Sequence, residues 1–255
     1  MNSQEQFDRQ ASHYNSEWNQ WSESSLEWLL NHSEARITDR LLDVATGTGF
    51  TALAFAPRVA EVVGLDVSNG MLDQARSRAT DSGTQNTSWQ QAPAEKLPFA
   101  DASFDLVTCR VAPHHFVDIR AFVSEALRVL RSGGRLLVAD TSVPDGLPHL
   151  DEWQNRVEWL RDRSHVRNYS PGEWSTMLTA VGFAVEQIER CDEAKPIRLQ
   201  DWMAKSGCTG DAAEQVEQMF RDAPHDARRE FSIEQLADGD VAFKWMRVVL
   251  AARKP

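Results

Sequence analysis

Apolar residues in this chain fall into short continuous runs, separated by stretches in which they recur every three or four positions. The runs predict strands at 40–44, 60–66, 87–91, 104–110, 134–140, 183–190 and 241–252. The longer period predicts helices at 50–57, 69–80, 118–131 and 171–180. A run that stays apolar, rather than alternating, describes a strand covered on both faces. Strand–helix alternation therefore predicts an α/β fold with a mostly parallel, doubly wound sheet. The punctuation agrees. Ser68 precedes the helix at Asn69, and Ser170 with Pro171 opens another. Ser132-Gly133-Gly134 ends the helix carrying Ala126, Leu127, Val129 and Leu130, and Gly182 ends the one after Pro171.

Three segments stand outside this alternation. Residues 1–37 read as helical, with Trp18, Trp21, Trp28, Leu29 and Leu30; 143–170 as a connector and a helix; 195–238 as short helices before the last strand. Of the nine tryptophans only Trp89 lies within 38–141. Packing of appended helices explains some of the rest. An aromatic lid over a substrate is the sharper expectation, because ligands of open α/β sheets bind at the C-terminal strand ends. The chain thus reads as one domain over 1–255. It has an N-terminal helical lid (1–37), a cofactor-binding core (38–141) and substrate-side helical insertions (143–170 and 195–238).

The composition suits a soluble globular protein, with 42% hydrophobic and 25% charged residues. A net charge of −11 argues against a nucleic-acid partner. Arg156, Arg161, Arg163 and Arg167 form a local basic run, read as a solvated helix face rather than an anion site. No apolar run is long enough to span a bilayer, and the polar N-terminus is no signal peptide. Cys109, Cys191 and Cys208 lack metal-ligand spacing and suit a reducing compartment, so a cytoplasmic location is expected. The oligomeric state is left at monomer or homodimer.

The chemistry begins at LLDVATGTG (41–49). A strand runs into a turn holding Gly47 and Gly49; a helix follows, and the next strand, EVVGLD, ends on Asp66. That is the plan of a βαβ nucleotide site, with Asp66 placed to meet ribose hydroxyls. Gly47 to Ala52 also fits the G-x-G-x-x-A of NAD sites. Asp43, however, sits where a dinucleotide would place its pyrophosphate, and would repel it. S-adenosylmethionine (SAM) carries a sulfonium and an ammonium instead, which Asp43 would attract.

Four ordered stretches carry a family resemblance: LDVATGTG (42–49), VVGLDVSNGML (62–72), APAEKLPFADASFDLVTC (92–109) and EALRVLRSGGRLLVAD (125–140). With these the chain resembles the class I SAM-dependent methyltransferases, in the UbiE-like (methyltransferase type 11) small-molecule branch. The resemblance implies a Rossmann-like seven-stranded sheet with an antiparallel last strand. It implies that Asp43, Ala45, Thr46, Gly47 and Gly49 line the methionine and ribose end of SAM, Ala45 standing where many members have glycine. Asp66 would hold the ribose; Val67 and Met71 would pack on the adenine; Ala94 and Glu95 would meet its edge. Pro93 stands where many relatives carry an aspartate. Arg110 and Val111 would lie beside the transferred methyl, with Phe7 and Tyr14 as N-terminal lid residues. The product would be S-adenosyl-L-homocysteine.

A protonated acceptor needs a base, and His114 and His115, just past the fourth strand, are the catalytic candidates. His13 and His165 are secondary, substrate-side candidates. No metal site is expected, since His114, His115 and Asp118 are too close in sequence to converge on one ion. Cys109-Arg110-Val111-Ala112-Pro113 occupies the place of the tetrad that nucleobase-amine methyltransferases carry, and no glutamate pair marks protein arginine as substrate. A small apolar or aromatic acceptor remains. Two other readings stay open: a non-catalytic SAM-binding protein, which would keep the same cofactor residues, and an NAD(P)-dependent oxidoreductase, which Asp43 opposes.

Overall fold

The computed structural model describes residues 23–191 and 195–255 of the chain. Seven strands form the main sheet: β1 (Arg40–Val44), β2 (Glu61–Asp66), β3 (Thr87–Gln91), β4 (Phe104–Arg110), β5 (Leu130–Thr141), β6 (Ala184–Arg190) and β10 (Arg247–Arg253). Their order is β3-β2-β1-β4-β5-β10-β6. β1 to β5 pair in parallel, while β10 runs antiparallel to both β5 and β6. The doubly wound sheet with an antiparallel last strand, expected from the apolar runs and the resemblance, is present.

Successive strand residues bury on opposite faces, which is why the runs are continuous. Leu42, Val44, Val107, Cys109 and Val138 meet α4 (Ile119–Val129) and α6 (Pro171–Val181) on one side. Leu41, Leu106, Leu137 and Ala139 meet α1 (Glu23–His32) and α2 (Phe50–Phe55) on the other. α1 buries Leu29 completely, so this part of the expected N-terminal lid serves as a covering helix. α3 (Asn69–Asp81) is capped by Ser68, whose Oγ accepts from the Met71 amide at 3.1 Å. Ser170 and Glu173 close a capping box at α6, which ends on Gly182 in the left-handed region.

One expected strand is two. Val241–Phe243 (β9) pairs with β7 (Ile197–Arg198) and β8 (Glu234–Gln235) in a separate three-stranded sheet. The chain then leaves the ladder, buries Trp245, and enters the main sheet at Arg247. Lys244 and Arg247 flank the break, but Trp245 and Met246 between them are apolar, and the sequence pattern reads through as one strand. β7, β8 and β9 pack with α5 (Pro148–Arg161), α7 (Leu199–Ser206), α8 (Asp211–Arg221) and α9 (His225–Glu230) around a second core. Trp202 and Trp245 lie in that core and Trp153 packs against it. Trp153 stacks on Phe231 with centroids 5.8 Å apart, and Trp202 meets Phe243 edge-on at 5.2 Å. Trp174 is fully buried in the main core. Trp153, Trp202 and Trp245 pack the inserted helices together around this second core.

Candidate active site

The glycine turn after β1 is built from three left-handed residues: Ala45 (φ 53°), Gly47 (φ 54°) and Gly49 (φ 84°). At Ala45 the conformation costs about 1–2 kcal/mol that a glycine would not incur. The glycines have different reasons. A Cβ on Gly47 would meet nothing within 4 Å, so its dihedral angle is the constraint. A Cβ on Gly49 would lie 2.9 Å from Trp89 Cη2 and 3.0 Å from Ala75 Cβ. One on Gly64, in β2, would fall 2.5 Å from the Trp89 ring. Trp89 thus fills the space that two glycines leave, and supports the turn from behind.

Asp66, at the end of β2, is buried, and its carboxylate accepts the Gly47 amide at 2.8 Å and the Ser68 amide at 2.9 Å. The turn therefore gives an amide to a carboxylate, where a dinucleotide would need it for phosphate. Asp43 is also buried, and it accepts from Thr46 Oγ1 at 2.6 Å and from Thr108 Oγ1 at 2.7 Å. Burial raises its pKa to about 6, against the lowering effect of both hydroxyls and of Arg110. Asp43 ties the turn to β4, a bracing role that sequence reasoning did not assign. Arg110 Nε donates to Thr51 Oγ1 at 2.9 Å, at the start of α2. Two carboxylates bordering one turn suit a ligand that carries positive charge, as SAM does.

The remaining cofactor candidates surround the same strand ends. Val67 follows β2, and the Met71 side chain is buried in the first turn of α3. Ala94 is buried; Glu95 Oε1 accepts the Val117 amide at 3.1 Å, joining the loop after β3 to the segment after β4. That loop is pinned by Arg128, which donates to the carbonyls of Leu97 and Phe99 and to Asp101 and Glu125. Val111 takes φ 54° directly after β4, a strained setting for a β-branched residue. Phe7, His13 and Tyr14 lie outside the described residues.

Beyond Val111 a short turn, Pro113–His115, brings the histidine pair over the end of β5. His114 Nδ1 lies 2.6 Å from Asp140 Oδ1, and the His114 amide donates to Asp140 Oδ2 at 2.9 Å. A carboxylate only accepts, so Nδ1 carries the hydrogen. Burial opposes the charge on this imidazole, but Asp140, with Glu158 and Asp162 behind it, prevails and raises its pKa. The His115 ring lies 4.1 Å from that of His114. Burial and the neighbouring His114 charge push its pKa down to about 3. Its Nδ1 is 3.1 Å from Ser164 Oγ, which donates to Asp162 Oδ1 at 2.7 Å. His165 lies 5.7 Å from His114, donates from Nε2 to Asn155 Oδ1 at 2.9 Å, and is pushed to about 2 by burial. Asp140, Glu158, Asp162 and Ser164 were not singled out from sequence. Only Asp140 left a signal, as the acid closing the apolar run RLLVAD. Among the described residues no group of three or more His, Cys, Asp or Glu side chains is arranged to hold a metal ion.

A βαβ nucleotide turn, an acid ending β2 and an antiparallel strand inserted between β5 and β6 define the class: a SAM-dependent methyltransferase. Residues 42–138 match the methyltransferase domain family. The uncharacterized methyltransferase YcgJ of Bacillus subtilis is 38% identical over 233 residues, covering 91% of each chain. The YcgJ crystal structure superposes with a TM-score of 0.86 over 91% of this chain and 98% of that one. A putative methyltransferase from Bacillus halodurans, 35% identical, also gives 0.86 over 91% and 99%. A UbiE C-methyltransferase of ubiquinone/menaquinone biosynthesis from Dinoroseobacter shibae is 40% identical over 48% of each chain. This chain belongs to the methyltransferase family that includes YcgJ.

Proposed function

We propose that this methyltransferase binds SAM at the β1–β2 edge and methylates a small, apolar or aromatic acceptor that begins protonated. Bound SAM supplies an electrophilic methyl carbon on a sulfonium. The chain's own residues would hold it: Asp66 at the ribose, the Ala45–Gly49 turn at the methionine end, Val67, Met71 and Ala94 at the adenine. Arg110 and Val111 border the acceptor side.

The observation that carries the acceptor reading is the His114–Asp140 pair at the ends of β4 and β5. Asp140 fixes the proton on Nδ1, so Nε2 is the atom that takes a proton. Asp140 raises the pKa of His114 above the ordinary histidine value, which strengthens it as a base. His115, held near 3, is a poor base beside it. The chain aligns acceptor and methyl donor, excludes water, and removes the acceptor's proton at His114 Nε2. The family match ends at residue 138, before Asp140 and α5. No helix among the described residues is long and apolar enough to cross a membrane, and Cys109, Cys191 and Cys208, which form no disulfide, suit the cytoplasm.

Methyl-labelled SAM offered with a panel of quinols, phenols, thiols and amines tests this. Label should appear on an acceptor with an ionisable X–H group, and His114→Gln should lower transfer by about a hundredfold or more. Full transfer by that variant would remove His114 as the base.

A further inference from the structure

The basic run on and after α5 divides into two pairs of arginines. Arg161 stacks on Trp202 at 4.5 Å and donates to its carbonyl at 3.2 Å. Arg167 pairs with Asp151 at 2.7 Å and with Glu173 at 2.9 Å. Arg156 and Arg163 pair with no carboxylate among the described residues. Both guanidiniums lie over the Trp159 ring instead, 4.8 and 3.7 Å from its centroid. Trp159 is 39% exposed, so it presents this cationic pair to solvent rather than filling a core. Stacking covers the face of a guanidinium and leaves its in-plane N–H edge free. That edge is the one that meets a carboxylate in two parallel hydrogen bonds.

Arg156 also borders a groove of about 420 Å³ between α5 and α8, a volume in the range of small-molecule sites. Trp153 and Leu160 line it from α5, Met219 from α8, and Pro224 from the turn beyond. Residues 153, 156 and 160 share one face of α5, so the arginine sits between the two apolar groups. The lining runs over about two turns of each helix, roughly 10 Å, which makes the groove elongated. Asp222, on the α8 side of the rim, accepts Gln218 Nε2 at 2.6 Å. The glycine turn and the histidine pair contribute nothing to the lining.

We propose that this groove is a separate ligand site, for a small carboxylate with a linear apolar tail. The tail lies on Trp153, Leu160 and Met219. The carboxylate meets the free edge of Arg156, and Arg163 adds positive charge from across Trp159. An anion without a tail would leave the apolar walls in water, and a tail without the charge would leave Arg156 unmatched, so both parts are needed.

The test is calorimetric titration of the full chain with octanoate and, separately, with 1-octanol and acetate. Octanoate should bind saturably at one site per chain, about tenfold or more tighter than either of the others. Arg156→Gln should weaken octanoate by about tenfold or more, and Met219→Trp, which fills the groove, should abolish binding. Absence of saturable octanoate binding, equal binding of 1-octanol, or an octanoate affinity unchanged in Arg156→Gln would each overturn the proposal. Arg156 is exposed, so its variant decides even if Met219→Trp does not fold. The readout involves neither SAM nor methyl transfer, so it stands or falls apart from the proposed activity.

Discussion

Asp140 holds His114 twice, accepting the imidazole Nδ1–H at 2.6 Å on one oxygen and the backbone amide at 2.9 Å on the other. The carboxylate therefore fixes the ring's position and tautomer, and favours its charged form. Asp140→Asn removes the charge and offers an amide that can face the ring with the wrong atom. Methyl transfer to the acceptor identified by the panel should fall about a hundredfold or more. In wild type the rate should climb with pH through an apparent pKa above the ordinary 6.5 of histidine, since the base works unprotonated. In Asp140→Asn this limb should move to lower pH. A limb that stays in place would show that another group titrates there.

Asp66→Ala removes the acceptor of two backbone amides and of the proposed ribose contacts. S-adenosylhomocysteine affinity should weaken by about 1–3 kcal/mol, roughly 5- to 150-fold. An unchanged dissociation constant by calorimetry would remove Asp66 from the ribose site.

Asp43 has a pKa of about 6 in the folded chain, above its ordinary 3.8 because it is buried. A raised carboxyl pKa means the folded state holds the proton more tightly. The stability this contributes is complete below about pH 4 and is lost as pH rises through about 6, roughly 3 kcal/mol in all. Asp43→Asn keeps the shape and abolishes the titration. Its melting temperature should exceed that of wild type near pH 8, with the difference closing toward pH 4. Parallel melting curves across that range would contradict the assignment.

Gly64 and Trp89 form a mutual fit. A methyl on Gly64 would sit 2.5 Å from the indole, so Gly64→Ala should destabilise by about 1–3 kcal/mol in denaturant unfolding. Paired with Trp89→Leu, which vacates the space, the two changes should cost less than their sum. Strict additivity would show that the ring yields without strain.

The main sheet was legible because its strands are buried on both faces and read as unbroken apolar runs, with Ser68, Ser170 and Gly182 marking helix ends. The second core was not. Trp153, Trp202 and Trp245 look alike whether they fill a core or a lid, and the strand at 241–252 conceals its break because both pieces are apolar. The glycine turn announced itself through residue types that only tight turns demand. The histidine surroundings did not, because Asp140, Glu158, Asp162 and Ser164 meet His114 and His115 across 25 to 50 residues of chain, roughly the reach of a whole βαβ unit. Asp43 shows a subtler gap. Its charge stands in the sequence beside the glycine turn, but its partners, Thr46 and Thr108, depend on β1 lying beside β4.

The most direct measurement is calorimetric titration of the full chain with S-adenosylhomocysteine and, separately, with NAD. S-adenosylhomocysteine should bind saturably, at one site per chain, with an affinity that Asp66→Ala weakens, and NAD should not bind. Binding of NAD without S-adenosylhomocysteine would contradict both expectations.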